Sequence, residues 1–180
     1  MAKEEMIMAD CSIMTYNPVR AEILCGVKPT MTQWVIMLRS WQTHTELKYS
    51  ERHGFMSYSA TLMEGSKGAR FKYIGYSGPY WDEVKVSLTD QQEDWAWEKA
   101  ESRVGTPYDL AGQLCHISKL KFWKPDPNKT WCTKEVAECL YAARGDFYEF
   151  MKKYSLTSEL RPDMLDMMAR YYFSPPPPLT

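Results

Sequence analysis

The chain has 180 residues, and its 22 Lys and Arg against 23 Asp and Glu leave a formal net charge of -1. That length suits one domain with a sizeable core and is too short for two ordinary ones, and the balanced charge gives no electrostatic reason to capture nucleic acid or an anionic membrane. No apolar run approaches the roughly 20 residues that span a bilayer, and Met1-Ala2-Lys3-Glu4-Glu5 lacks the apolar stretch of a secretory signal.

In chain order, Met6 to Met14 and Val19 to Val27 read as short strands, with turns at Asn17-Pro18 and Lys28-Pro29. The apolar run Met31 to Trp41 fits a buried helix or a strand, and Thr30 or Thr32 would cap the helical version. Thr43 to Tyr49 and Phe55 to Leu62 are rich in strand formers, and Ser50-Glu51-Arg52-His53-Gly54 between them predicts a hairpin. Alternation sets His44, Glu46 and Lys48 on one face of the first strand, and a short loop would bring Ser59 opposite His44 or one residue away. Strands over Ala69 to Tyr76 and Trp81 to Leu88 would complete an antiparallel meander. Thr89 with Gln92 is a capping box, opening a helix whose Trp97, Ala100 and Val104 share a face and which closes at Gly105.

A second helix is predicted around Leu110, Leu114 and Ile117, and Lys124-Pro125-Asp126-Pro127-Asn128 must be loop. Thr130 then reads as the N-cap of a third helix, with Cys132 in its first turn and Val136, Leu140 and Ala143 at helical spacing before Gly145. Phe147 to Tyr154 and Asp163 to Tyr171 look helical, and Pro175 to Pro178 is stiff and extended. These elements describe a single α+β domain over 1–173, an antiparallel sheet packed against helices, with 1–30 an extension of undefined structure and 174–180 a Pro-rich tail.

Cys132 is the residue with the clearest chemical opportunity. A thiol in the first turn of a helix feels the positive end of its dipole and faces unpaired N–H groups, which favours the thiolate. A small buried core residue at that position is the alternative. A cysteine nucleophile needs an imidazole partner, itself held by a third group. His116 falls inside a helix and His53 in the hairpin loop, whereas His44 begins a strand on a polar face and is the best base. Ser59 or Glu46 would fix its tautomer. The five cysteines, odd in number and without paired close spacing, suit a reducing cytoplasm rather than a disulfide framework, and no pair has zinc-site spacing. No cofactor motif is present. Aromatic residues at 14% of the chain suit grooves and interfaces as well as a core.

The order of Thr43-His44-Thr45-Glu46-Leu47, a run of strands, Gly105-Thr106-Pro107-Tyr108-Asp109 and Trp131-Cys132-Thr133 resembles the circularly permuted NlpC-type papain-like cysteine hydrolases. The likeness covers about Trp34 to Gly145 and is nearest the YiiX-like branch and its small phage and prophage versions; lecithin:retinol acyltransferase is more distant. The resemblance implies a permuted papain-like fold with Cys132 as nucleophile, His44 as base, Ser59 in the place of the polar third residue, and Tyr108 beside the cleft. It implies hydrolysis of an amide, such as one in a bacterial cell-wall peptide, with acyl or thioester bonds as the alternative, no cofactor, and a peptide or acyl substrate. The host cytoplasm or a virion would be its location. Where the family commonly has Cys-Ser-Glu, this chain has Cys132-Thr133-Lys134, followed by Glu135. That departure suits a competing reading: an inactive papain-like scaffold that holds phage proteins through its aromatic surface and Pro-rich tail.

Overall fold

The computed structural model describes residues 8–38, 40–62, 68–113, 125–154, 156 and 160–173. Cys115, His116, the predicted helix beyond 113 and the proline tail lie outside them. The protein is α+β. Its five-stranded sheet comprises β1 (Met8–Tyr16), β2 (His44–Lys48), β3 (Met56–Thr61), β4 (Gly68–Tyr73) and β5 (Trp81–Thr89), in the order β4-β3-β2-β1-β5 with antiparallel neighbours.

Two sequence expectations are corrected here. The segment over Val19 to Val27 is not a strand: Pro18–Cys25 is helix α1. Asn17 accepts from the Arg20 N–H as N-cap, Pro18 occupies the first turn where its missing N–H costs nothing, and Gly26 closes the helix at φ 67°. These are start and stop signals that outweigh β-branched composition over eight residues. The sheet is also not a simple meander, because β5 passes β4 and pairs with β1 from Met8–Thr89 to Tyr16–Trp81. The Ser77-Gly78-Pro79 break frees the chain to cross, and the full-length ladder on β1 satisfies more backbone than a β4 edge of six residues would.

The ambiguous run after Lys28-Pro29 resolves as helix α2 (Met31–Met37), with Thr30 and Gln33 forming a reciprocal capping box. The hairpin between β2 and β3 contains a short 3-10 turn, Glu51–His53. His53 there is structural: its ring stacks on Trp97 at 4.3 Å and its Nε2 lies 3.2 Å from Asp94. The Thr89–Gln92 capping box opens helix α3 (Asp90–Glu101), which stops short of Val104 and leaves that side chain exposed.

Helix α4 spans Cys132–Ala143, α5 Gly145–Lys153 and α6 Pro162–Phe173. Val136, Ala137, Cys139 and Leu140 of α4 pack with Ala96 and Ala100 of α3 against Leu47, Tyr49, Tyr58 and Ala60 of the sheet. Burying each such Leu or Val is worth about 1.5–3 kcal/mol, so this seam fixes α4 on β2 and β3. Alternation turns His44 and Glu46 to the other side of the sheet, with Arg70 and Lys72 of β4 in register with Ser59 and Ser57. Among the described residues, no helix is long and apolar enough to cross a membrane.

Candidate active site

β2 pairs with β3 only at Leu47–Tyr58 and Lys48–Ser57. At the His44 end the ladder is missing, and side chains take over its hydrogen bonds. Ser59 Oγ donates to the Thr45 carbonyl at 2.5 Å, and the Thr45 N–H donates to the sulfur of Cys132. A buried backbone group left without a partner is costly, so this gap in the ladder both requires and locates the start of α4.

Thr130 is not the N-cap of that helix. The cap is Trp131, whose side chain makes no capping bond, and Thr130 instead belongs to a short bridge with the segment before it. Its N–H donates to the Pro107 carbonyl at 2.9 Å and its carbonyl accepts from the Asp109 N–H at 2.6 Å. Asp109 adds side-chain bonds from the N–H groups of Gly112 and Asp126, at 2.8 and 2.9 Å. On the far side the Gly68–Pro107 bridge is so close that a Cβ on Gly68 would lie 2.3 Å from the Thr106 carbonyl oxygen, so only glycine fits. Strand β4, the turn carrying Tyr108 and the entry to α4 are thereby tied together, and Tyr108 is hydrogen-bonded to the Cys132 sulfur as well as donating to Gln113 Oε1 at 2.6 Å.

His44 joins the same sulfur. Its Nε2 lies 2.7 Å from Glu46 Oε1, a length typical of a charge-assisted bond, so the nitrogen left to meet Cys132 is Nδ1. Burial by itself would push the imidazole toward neutrality, but the Glu46 carboxylate and the hydrogen bonds to Cys132 and Glu46 outweigh it and raise the His44 pKa to about 10. For Cys132, burial opposes the thiolate, while the hydrogen bond and positive charge of His44, then Thr133 and the Thr45 N–H, carry the net shift below the ordinary thiol value. Each group favours the charged form of the other, the direction that leads to a thiolate–imidazolium pair. Arg70 Nη2 lies 3.5 Å from Glu46 Oε1. Thiolate, imidazolium, carboxylate and guanidinium together balance to zero charge, which makes the buried cluster tenable.

The structure thus brings together Cys132, His44, Glu46 and Tyr108. Glu46, and not Ser59, holds the imidazole: extending the β2–β3 register sets Ser59 across from Glu46, two residues from His44, with its hydroxyl committed to Thr45. Replacing Ser59 with alanine is expected to cost about 1 kcal/mol of stability through the lost bond to the Thr45 carbonyl, while the His44 titration followed by NMR stays where it was. A His44 pKa that falls in Ser59→Ala would restore Ser59 to the orienting role. Glu135 also lies elsewhere, buried between Tyr58 and Arg103. Sequence reasoning missed Arg70, whose relation to Glu46 depends on the register of three strands.

Cys132 itself is fully buried, whereas the His44 side chain keeps 21% exposure. That exposure opens into a cavity of about 430 Å³ on the face of the sheet away from α4, lined by His44, Glu46, Arg70 and Trp81 among others. Cys11, Cys25 and Cys139 are free thiols as well; burial raises Cys11 and Cys139 far above the thiolate range. Among the described residues, no three His, Cys, Asp or Glu side chains cluster as a metal ion would need.

An α+β domain with a Cys–His–Glu cluster at a helix start is the class that fold and site define. In comparison with known proteins no family model matches the chain, and no curated protein and no solved structure is similar enough to report, so the site is read on its own chemistry.

Proposed function

We propose that the protein is a cysteine hydrolase that cleaves an amide bond through an acyl-enzyme on Cys132, in the manner of the permuted NlpC-type enzymes it resembles. The observation that carries this reading is the hydrogen-bonded chain Cys132–His44–Glu46, in which the thiol is lowered and the imidazole raised. The Cys132 thiolate attacks the carbonyl carbon, and N–H groups at the uncapped start of α4 receive the developing oxyanion. His44 gives its proton to the leaving amine as the C–N bond breaks, leaving a thioester. Water then attacks the thioester with His44 taking its proton, and the carboxylic acid departs as the thiolate is regenerated. A cell-wall peptide is the substrate that the resemblance suggests, with acyl or thioester bonds as the alternative.

A specific observation favours a second reading, an interaction component built on the same frame. Ile23 of α1, Met31 of α2 and Leu38 just after α2 are 75%, 85% and 79% exposed, and Trp34 and Trp41 are exposed in the same stretch of chain. Apolar side chains concentrated in this way mark a surface that another molecule covers.

One experiment separates the two. Treated with a small activated ester, the protein is expected to gain the acyl mass on Cys132 ahead of the exposed Cys25, and to shed it with time as water completes the cycle. Acylation of Cys25 alone would sink the hydrolase reading and leave the interaction component.

A further inference from the structure

We propose that the outer edge of β5 is a self-association surface, through which two copies of the chain pair antiparallel and join their sheets, Glu83 of each lying opposite the partner's Lys85. The surface is independent of the chemistry at Cys132.

The first ground is the direction of the β5 backbone. In an antiparallel ladder the N–H and C=O of a residue point together to one neighbouring strand, and successive residues alternate between the two sides. The Asn17 N–H donates to the Tyr80 carbonyl at 2.8 Å, in line with the β1–β5 register, so even-numbered residues of β5 face β1 and odd-numbered ones face away. The Ser87 carbonyl agrees, since it accepts from Arg144 Nη1 at 3.1 Å. At the other end the Trp81 N–H donates to the Gly78 carbonyl at 3.3 Å. Between these two ends, the backbone groups of Glu83 and Lys85 point outward and have no partner among the described residues.

The second ground is that this edge lacks the usual defences. Proteins blunt an edge strand with proline, a bulge, a covering segment or repelling charge. At the opposite edge β4 is covered: the Ala69 N–H donates to the Thr106 carbonyl and the Ala69 carbonyl accepts from the Gly105 N–H, both at 2.9 Å. Strand β5 contains no proline, and its ladder with β1 keeps one register from Trp81 to Thr89. Its exposed charges, Glu83 and Lys85, are of opposite sign and so do not repel a second copy.

The third ground is charge complementarity, which selects one register. Outward groups meet only when an odd-numbered residue lies opposite an odd-numbered residue. Setting Glu83 against the partner's Glu83, or Lys85 against the partner's Lys85, opposes like charges directly and is unfavourable. The register between them places Val84 opposite the partner's Val84 and Glu83 opposite the partner's Lys85, and the two-fold axis repeats that pair. Each such pair exchanges both backbone hydrogen bonds. Within one copy, Glu83 accepts from Ser12 Oγ at 2.6 Å and Lys85 Nζ lies 3.7 Å from Asp10 Oδ1, yet the Lys85 side chain stays 75% exposed and available. The axis stands perpendicular to the joined sheet, which keeps the helices of both copies on one face. Helix α6 packs on β5, so the two α6 helices become neighbours across the seam, with Met167 and Tyr171, exposed and one turn apart, as the apolar surface available there.

Sedimentation equilibrium of the full chain is expected to give a mass that rises with concentration toward twice 21.0 kDa. Lys85→Glu and Glu83→Lys each leave two like charges on the edge, and each is expected to weaken association at least about tenfold. An equimolar mixture of the two variants is expected to recover it, because an acidic edge then meets a basic one. In hydrogen exchange the amides of Glu83 and Lys85 are expected to gain protection as concentration rises; this needs no variant and decides alone if one fails to fold. A chain still monomeric at about 0.5 mM would overturn the proposal. So would a dimer indifferent to both reversals, a mixture of folded variants that stays monomeric, or dimerisation without protection at Glu83 and Lys85. A dimer dissolved instead by Met31→Glu would assign association to the α1–α2 stretch and overturn it too.

Discussion

Replacing His44 with alanine is expected to leave almost no Cys132 thiolate at pH 7. Without the imidazolium, burial dominates the thiol and pushes its pKa to or above the reference of about 8.5, where only about 3% is ionised at pH 7. The thiolate absorbance in the ultraviolet measures this directly and does not require a reagent to reach the buried sulfur. The pH profile follows from the directions of the two shifts. Cys132 is lowered, so the ion pair assembles as pH rises through a value below the ordinary thiol pKa; His44 is raised, so the pair is lost as pH climbs through about 10. His44 therefore contributes stability that is complete below its unfolded pKa near 6.5 and lost through about 10, whereas the Cys132 contribution is complete above the unfolded thiol pKa and lost on acidification. In Glu46→Gln, the alkaline limb should fall from about 10 toward the ordinary imidazole value of 6.5. A thiolate signal indifferent to His44→Ala would remove the basis for nucleophilic chemistry at Cys132.

The largest effect on stability is expected at Glu135, where alanine should cost about 3–5 kcal/mol, read as a shift in the urea midpoint. Glu135 is buried and accepts from the Tyr58 hydroxyl at 2.5 Å and from Arg103 Nη2 and Nε at 2.8 and 3.2 Å. Burial, then the neighbouring carboxylate, pushes the Tyr58 hydroxyl far above its ordinary value, while the Glu135 bonds and charge outweigh burial at Arg103 and raise the guanidinium. Truncation leaves a buried phenol and a largely buried guanidinium with no acceptor. Glu135→Gln keeps the shape and one acceptor and should lose less. Because the network ties α4 to β3 and to the turn after α3, the alanine variant is also expected to loosen the start of α4. A loss below about 1 kcal/mol would show that solvent already satisfies Arg103, and that Glu135 is a peripheral pair.

Local features of this chain were legible without tertiary information wherever one short segment contains its own reason. The Thr89–Gln92 box, the strand pair around the 3-10 turn and the helix with Cys132 in its first turn each depend on residues within a few positions. His44 as the partner of Cys132 followed from elimination among three histidines. Asn17-Pro18 and Gly26 were equally local, yet the apolar composition between them favoured a strand; the cap chemistry overruled it.

What only the tertiary structure decided are relations that depend on register. Whether Ser59 or Glu46 holds the imidazole turns on a two-residue difference in strand alignment, and a period of two cannot resolve it because both side chains share a face. Thr130 looked like a cap because its side chain is suitable, but the backbone bridge to Pro107 and Asp109 moved the helix start by one residue. The crossing of β5 to β1 is a choice between two edges distant in sequence, and Arg70 reaches Glu46 only through three aligned strands. The chain by itself determined which groups could carry chemistry, because that is a property of side-chain type and local backbone. Which of them meet, and which are spent on replacing a missing ladder, was decided by how the sheet satisfies its backbone hydrogen bonds, a long-range condition that no single segment contains.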